Sequence, residues 1–142
     1  MKKILLVSAI SFLAFKGIAQ QKKLKDLVGR WEIVGEKDNA ASLEVIDSSN
    51  IILIYNGERK KITDYRIDFE KTPIWFDFLT EGDSSSVVSV KSLIEIVSDS
   101  MIKWQLFVDE ERTPYFSSAK GELFYLKKAK PVVTTAASVV SN

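Results

Sequence analysis

The sequence contains no cysteine and no histidine. The first absence excludes thiolate nucleophiles and disulfides, and the second excludes Ser-His-Asp relays. Together they remove every zinc, copper or haem site that needs imidazole or sulfur. Neither sign of charge is in excess, with 20 Lys+Arg against 19 Asp+Glu and no basic block. That balance argues against nucleic acid as the main partner. No apolar run is long enough to span a bilayer, which takes about 20 residues, and no long amphipathic helix is evident.

What is present begins with a leader. Met1-Lys2-Lys3 is followed by the mostly apolar Ile4 to Phe15, and then by Gly17-Ile18-Ala19 with small residues at the −3 and −1 places before Gln20. This layout reads as a signal peptide over residues 1–19. An attached N-terminal anchor is the alternative reading. The expected protein is therefore exported, periplasmic or secreted, with no membrane span once the leader is removed. Removing 19 of 142 residues and the leader's Lys2, Lys3 and Lys16 leaves 123 residues, with 17 cations against 19 acids. A single domain of that size buries roughly two-thirds of its unfolded surface, enough to dispense with disulfides.

Residues 20–130 form the domain. Leu24, Leu27 and Val28 have helical spacing ahead of Gly29 and predict a turn or two of helix. Beyond Arg30 the period changes to two. Successive strands are predicted over 30–33, 42–46, 51–55, 60–69, 74–80, 87–97, 101–108 and 122–128. Asn56-Gly57 fits a type I′ hairpin turn. Asp47-Ser48-Ser49-Asn50, Glu70-Lys71-Thr72-Pro73, residues 81–86 and 98–100, and the charged loop from Asp109 to Gly121 supply the other breaks. Eight short strands predict an all-β fold. An eight-stranded antiparallel up-and-down barrel with a short N-terminal helix is preferred, since closure removes both exposed edges. An open two-sheet sandwich is the alternative. Residues 131–142, without charge or periodicity, read as a disordered tail.

Leu27-Val28-Gly29-Arg30-Trp31 is similar to the Gly-x-Trp opening of lipocalin-like domains. Lys71-Thr72-Pro73-Ile74-Trp75-Phe76-Asp77 and Arg112-Thr113-Pro114-Tyr115-Phe116 resemble two further motifs of small bacterial secreted lipocalin-like proteins, a family of calycin-type barrels. In the second of these motifs Thr113 is an extra residue between Arg and Pro. The resemblance spans roughly Leu24 to Lys128. It implies an antiparallel barrel with Trp31 plugging one end, and a small apolar molecule inside. It also implies a cation from the last strand over Trp31. The family's Arg is missing there, leaving Lys127 or Lys128 for the role.

Carboxylates are the remaining acid-base candidates. Asp64 and Asp68 stand about 13 Å apart along one strand, too far for a glycosidase pair, which spans about 5 to 9.5 Å. Asp68 and Asp77 are the cross-strand alternative. Glu81-Gly82-Asp83 and Asp109-Glu110-Glu111 lack the ligand spacing of a calcium loop, and Ser84-Ser85-Ser86 has no base beyond Lys91. The expectation is a non-enzymatic module with no catalytic residue, metal or cofactor. Trp31, Tyr65, Ile67, Trp104 and Tyr125 are the candidates for interior contact with a small apolar or amphipathic ligand. The alternative is a protein-interaction or inhibitor module. Its contact would run through Trp75 and Leu79, as an exposed apolar patch, and through Arg112 in the late loop.

Overall fold

The computed structural model describes residues 22–35, 41–55 and 57–131. The proposed leader, residues 1–19, and nearly all of the proposed tail lie outside them. Leu24–Leu27 form one 3₁₀ turn. Eight strands follow: β1 (Gly29–Ile33), β2 (Ala41–Asp47), β3 (Asn50–Tyr55), β4 (Glu58–Asp68), β5 (Ile74–Glu81), β6 (Val87–Ser98), β7 (Met101–Val108) and β8 (Glu122–Lys128).

Each strand pairs antiparallel with the next, and β8 closes on β1 to complete a barrel. The register at closure sets Trp31 opposite Lys128 and Ile33 opposite Leu126. The short connections force neighbours in sequence to be neighbours in space, and closure leaves no strand edge unpaired. The β3–β4 hairpin pairs Tyr55 with Glu58, and Gly57 takes φ +80° between them. Bulges fall at 45–47, 62–64 and 96–98. The second explains why Ile62 and Tyr65, three residues apart, both face inward: the extra residue shifts the alternation by one.

The two ends of the barrel are built differently. At one end, the 3₁₀ turn and the connections after β2, β4 and β6 surround Trp31. This side chain is fully buried, and its Nε1–H donates to the Leu27 carbonyl at 2.8 Å. Lys128 lays its Nζ 5.3 Å from the Trp31 ring centroid. A Cβ on Gly29 would stand 2.6 Å from Lys128 Cε, so the glycine leaves room for the lysine stem. Above this plug, Phe76, Phe78 and Trp104 form an aromatic layer with centroids 4.9 to 6.4 Å apart. Ser92 stitches the layer to the wall. Its hydroxyl donates to the Phe76 carbonyl at 2.6 Å and accepts from Trp104 Nε1–H at 2.9 Å.

The outer wall carries a second cover. The segment from Asp109 to Gly121 does not stand free as a surface loop but straps across the outside of the barrel. Gln105, on the outward face of β7, is wholly buried. Its Nε2–H groups donate to the Ser117 and Lys120 carbonyls at 2.6 Å each, and its Oε1 accepts from Ser117 N–H at 2.9 Å. Phe107, also outward by register, has no exposed surface. The strap's last residue, Gly121, has φ +67°, and an added Cβ there would meet Leu106 O at 2.5 Å and the Phe107 ring at 3.0 Å.

Candidate functional site

At the end opposite Trp31, the described residues leave the barrel open. The inward positions of β3, β5, β6 and β7 there are Leu53, Phe78, Thr80, Val88, Val90, Leu106 and Val108, and they line a cavity of about 310 Å³. Phe78 forms its floor and rests on Trp104, 6.2 Å between centroids. The walls rising from that floor are short aliphatics, which cannot meet across the barrel as the large rings do lower down. The volume lies at the lower limit for small-molecule sites, which run from about 300 to 1,000 Å³ and are mostly apolar with a few placed polar groups.

Polar groups are confined to Thr80 and the rim. Thr80 keeps only 5% of its surface exposed, and its Oγ1 has no hydrogen-bond partner among the described residues. A buried hydroxyl without a partner costs roughly 1–3 kcal/mol. The rim carries Tyr55, Lys60, Glu81 and Glu122. Lys60 Nζ lies 3.5 Å from Glu58 Oε2, so its charge is already countered.

A second hollow, about 330 Å³, lies on the outer wall between Arg66, Asp68, Lys71, Trp75, Asp77 and Arg112. Arg112 reaches down from the strap to pair with Asp77. Its guanidinium carbon sits 3.8 Å from the Trp75 ring centroid, and Lys71 Nζ approaches the same ring at 4.9 Å. Lys103 Nζ lies 4.2 Å from the Phe116 ring and Lys91 pairs with Glu111 at 3.0 Å. These contacts fasten the strap, and within the hollow Arg112 and Asp77 form an ion pair.

The expected interior residues divide. Trp31 and Trp104 face inward but are sealed in packed core, and Tyr65 and Ile67 pack against that core towards the closed end. Tyr65 donates its hydroxyl proton to the Ser48 carbonyl at 2.6 Å. None of these four lines the cup. Tyr125 requires a correction: it pairs with outward Lys103 and is 48% exposed, so it faces away from the interior. β8 is apolar on both sides, with Leu123-Phe124-Tyr125-Leu126, and pairing set its phase.

The expected exposed patch is also corrected. Trp75 does point outward, opposite Asp68, but it is half-buried between two cations. Leu79 is half-buried in a shallow hollow with Asp64 and Ser89. Arg112 is almost buried, its side chain 10% exposed. Asp77 stands opposite Arg66 and takes Arg112 as its partner, while Asp68 accepts from Glu70 N–H. The cup residues Leu53, Val88, Val90, Leu106 and Val108 went unselected in the sequence. Their signal is small size at the open ends of inward-facing strand positions, and it becomes legible only once the ends are known.

No protein-family model, no curated protein and no solved structure matches this chain at a significant level.

Proposed function

We propose that this protein is a non-enzymatic binding module that takes a small apolar or amphipathic molecule, tail first, into the open cup of its barrel. The observation that carries the reading is the cup itself. It is an aliphatic cavity of about 310 Å³ over a ring floor, with one unpartnered hydroxyl among its lining groups. Burying apolar ligand surface there is favourable by about 25 cal/mol per Å², and the preformed wall spares the cost of ordering it. Val108, half-exposed at the mouth, adds apolar surface for a ligand portion that protrudes. The lipocalin-like resemblance supports the same reading, and so does the lack of imidazole and thiol.

The test is a titration with octanol, read by calorimetry, on the native chain and on Val90→Trp. The bulky ring would occupy the cup, and overpacking of this kind costs about 1–3 kcal/mol of stability. Saturable binding by the native protein, weakened at least tenfold in a folded Val90→Trp, supports the reading. Binding left intact in the filled variant overturns it. We also propose that the chain is exported and cleaved before Gln20. N-terminal sequencing of the protein recovered outside the cytoplasm, starting at residue 20, is the expected result.

A further inference from the structure

We infer that the cup is selective by charge: it favours an amphiphile with one cationic head group, such as a primary alkylammonium, over a carboxylate of the same chain length. This deepens the binding-module reading and rests on it. Two inward-facing rim positions are acidic. Glu122 stands opposite inward Leu106 at the start of β8, and Glu58 stands opposite Tyr55 at the start of β4. Glu81 completes the acidic rim at the end of β5. Against these three carboxylates the described rim offers one cation, Lys60, which lies within 3.5 Å of Glu58. The obvious anchor for a fatty-acid head is therefore already engaged, and among the described residues neither Glu81 nor Glu122 has an ion-pair partner.

The second observation lies below the rim. Thr80, directly before Glu81, faces inward with its hydroxyl unpartnered. An ammonium has three N–H donors and no acceptor. With its tail in the aliphatic cup, its head would meet a hydroxyl oxygen and two carboxylates, all acceptors. A carboxylate head would meet the same acids as like charges. Exposed ion pairs are individually weak, so the expected discrimination is modest, about tenfold between the two head groups, and screened by salt.

The experiment compares octylammonium, octanol and octanoate at pH 7.5 by calorimetry on the whole protein, in low salt and again in about 0.5 M salt. The expected order is octylammonium tighter than octanol, and octanol tighter than octanoate, with the spread shrinking at high salt. In Glu81→Gln/Glu122→Gln the ratio of amine to carboxylate affinity should fall to near one. Lys60→Gln should raise it. Octanol binding with octanoate equal to or tighter than octylammonium overturns the charge preference and leaves the cup reading standing. Failure of all three to bind overturns the cup reading, and the charge preference with it. An amine preference that survives unchanged in the double Gln variant overturns the assignment to these acids.

Discussion

The closed and open ends of this barrel are made from the same eight strands and the same inward alternation, yet one is solid and the other hollow. At the closed end, Trp31 and Leu27 fill the bore, with Leu24 and Tyr65 packed against them. At the open end, the equivalent inward positions carry Val88, Val90, Leu53 and Thr80 over Phe78. Eight strands give a bore just wide enough to be filled by side chains. Side-chain size along the axis therefore decides where space remains. A cavity arises where the strands run out of large residues, not where the aromatics gather.

The largest expected break in this contrast is Trp31→Ala. Emptying a fully buried ring and orphaning its contact to Leu27 should cost about 3–5 kcal/mol. Val108→Ala at the half-exposed open rim should cost under about 1 kcal/mol. Denaturant unfolding of both variants measures the gap, and equal losses would show that the two ends are equally packed.

Next come two glycines. Gly29 has φ +132° and sits under Lys128, whereas Gly57, at the open end, has φ +80° with nothing within 4 Å of an added Cβ. Alanine at Gly57 should cost about 1–2 kcal/mol in backbone strain alone. Alanine at Gly29 should cost more, because it must also push Lys128 off Trp31. The order of the two thermal midpoints tests this. Lys128→Ala, removing the cation but not the ring, should cost only about 0.5–1 kcal/mol.

The smallest effect concerns pH. The side chain of Asn50, and then the N–H of Ser49, hold the Asp47 carboxyl below its ordinary value. A carboxylate with a depressed folded-state pKa stabilises the fold above its unfolded value and loses that contribution as pH falls through the lowered one. The turn at the closed end should therefore loosen only in acid. An NMR titration of Asp47 should give a midpoint below 3.8, with Asn50→Ala moving it upward.

Much of the fold was legible because the local signals agreed with one another. Turn-rich breaks separated eight strand-like segments, and Asn56-Gly57 specified a two-residue turn. The plug role of Trp31 came only from the resemblance of Gly29-Arg30-Trp31 to a Gly-x-Trp opening, not from periodicity or composition. The strap was not legible. Asp109 to Gly121 reads as a charged loop, and nothing in the alternation along β7 marks the outward Gln105 and Phe107 as covered. Only their burial against the strap explains an apolar ring and an amide on the outside of a barrel. Trp75, with Leu79, and Arg112 were each singled out as candidates for contact with a partner. Trp75 and Arg112 do make a contact, but with each other, because a guanidinium that finds both an aromatic face and a carboxylate is satisfied within the molecule. Tyr125 was placed on the wrong side because alternation carries no phase when both faces are apolar.

The order of residues alone determined the number of strands, their antiparallel succession and the impossibility of thiol or imidazole chemistry, since these depend on period, turn residues and composition. Tertiary structure decided which end stayed open, which face of β8 turned inward and what covered the outer wall. Those outcomes depend on register across the β1–β8 seam and on whether side chains from eight separate strands can meet at one height along the axis. No local stretch of chain contains that information.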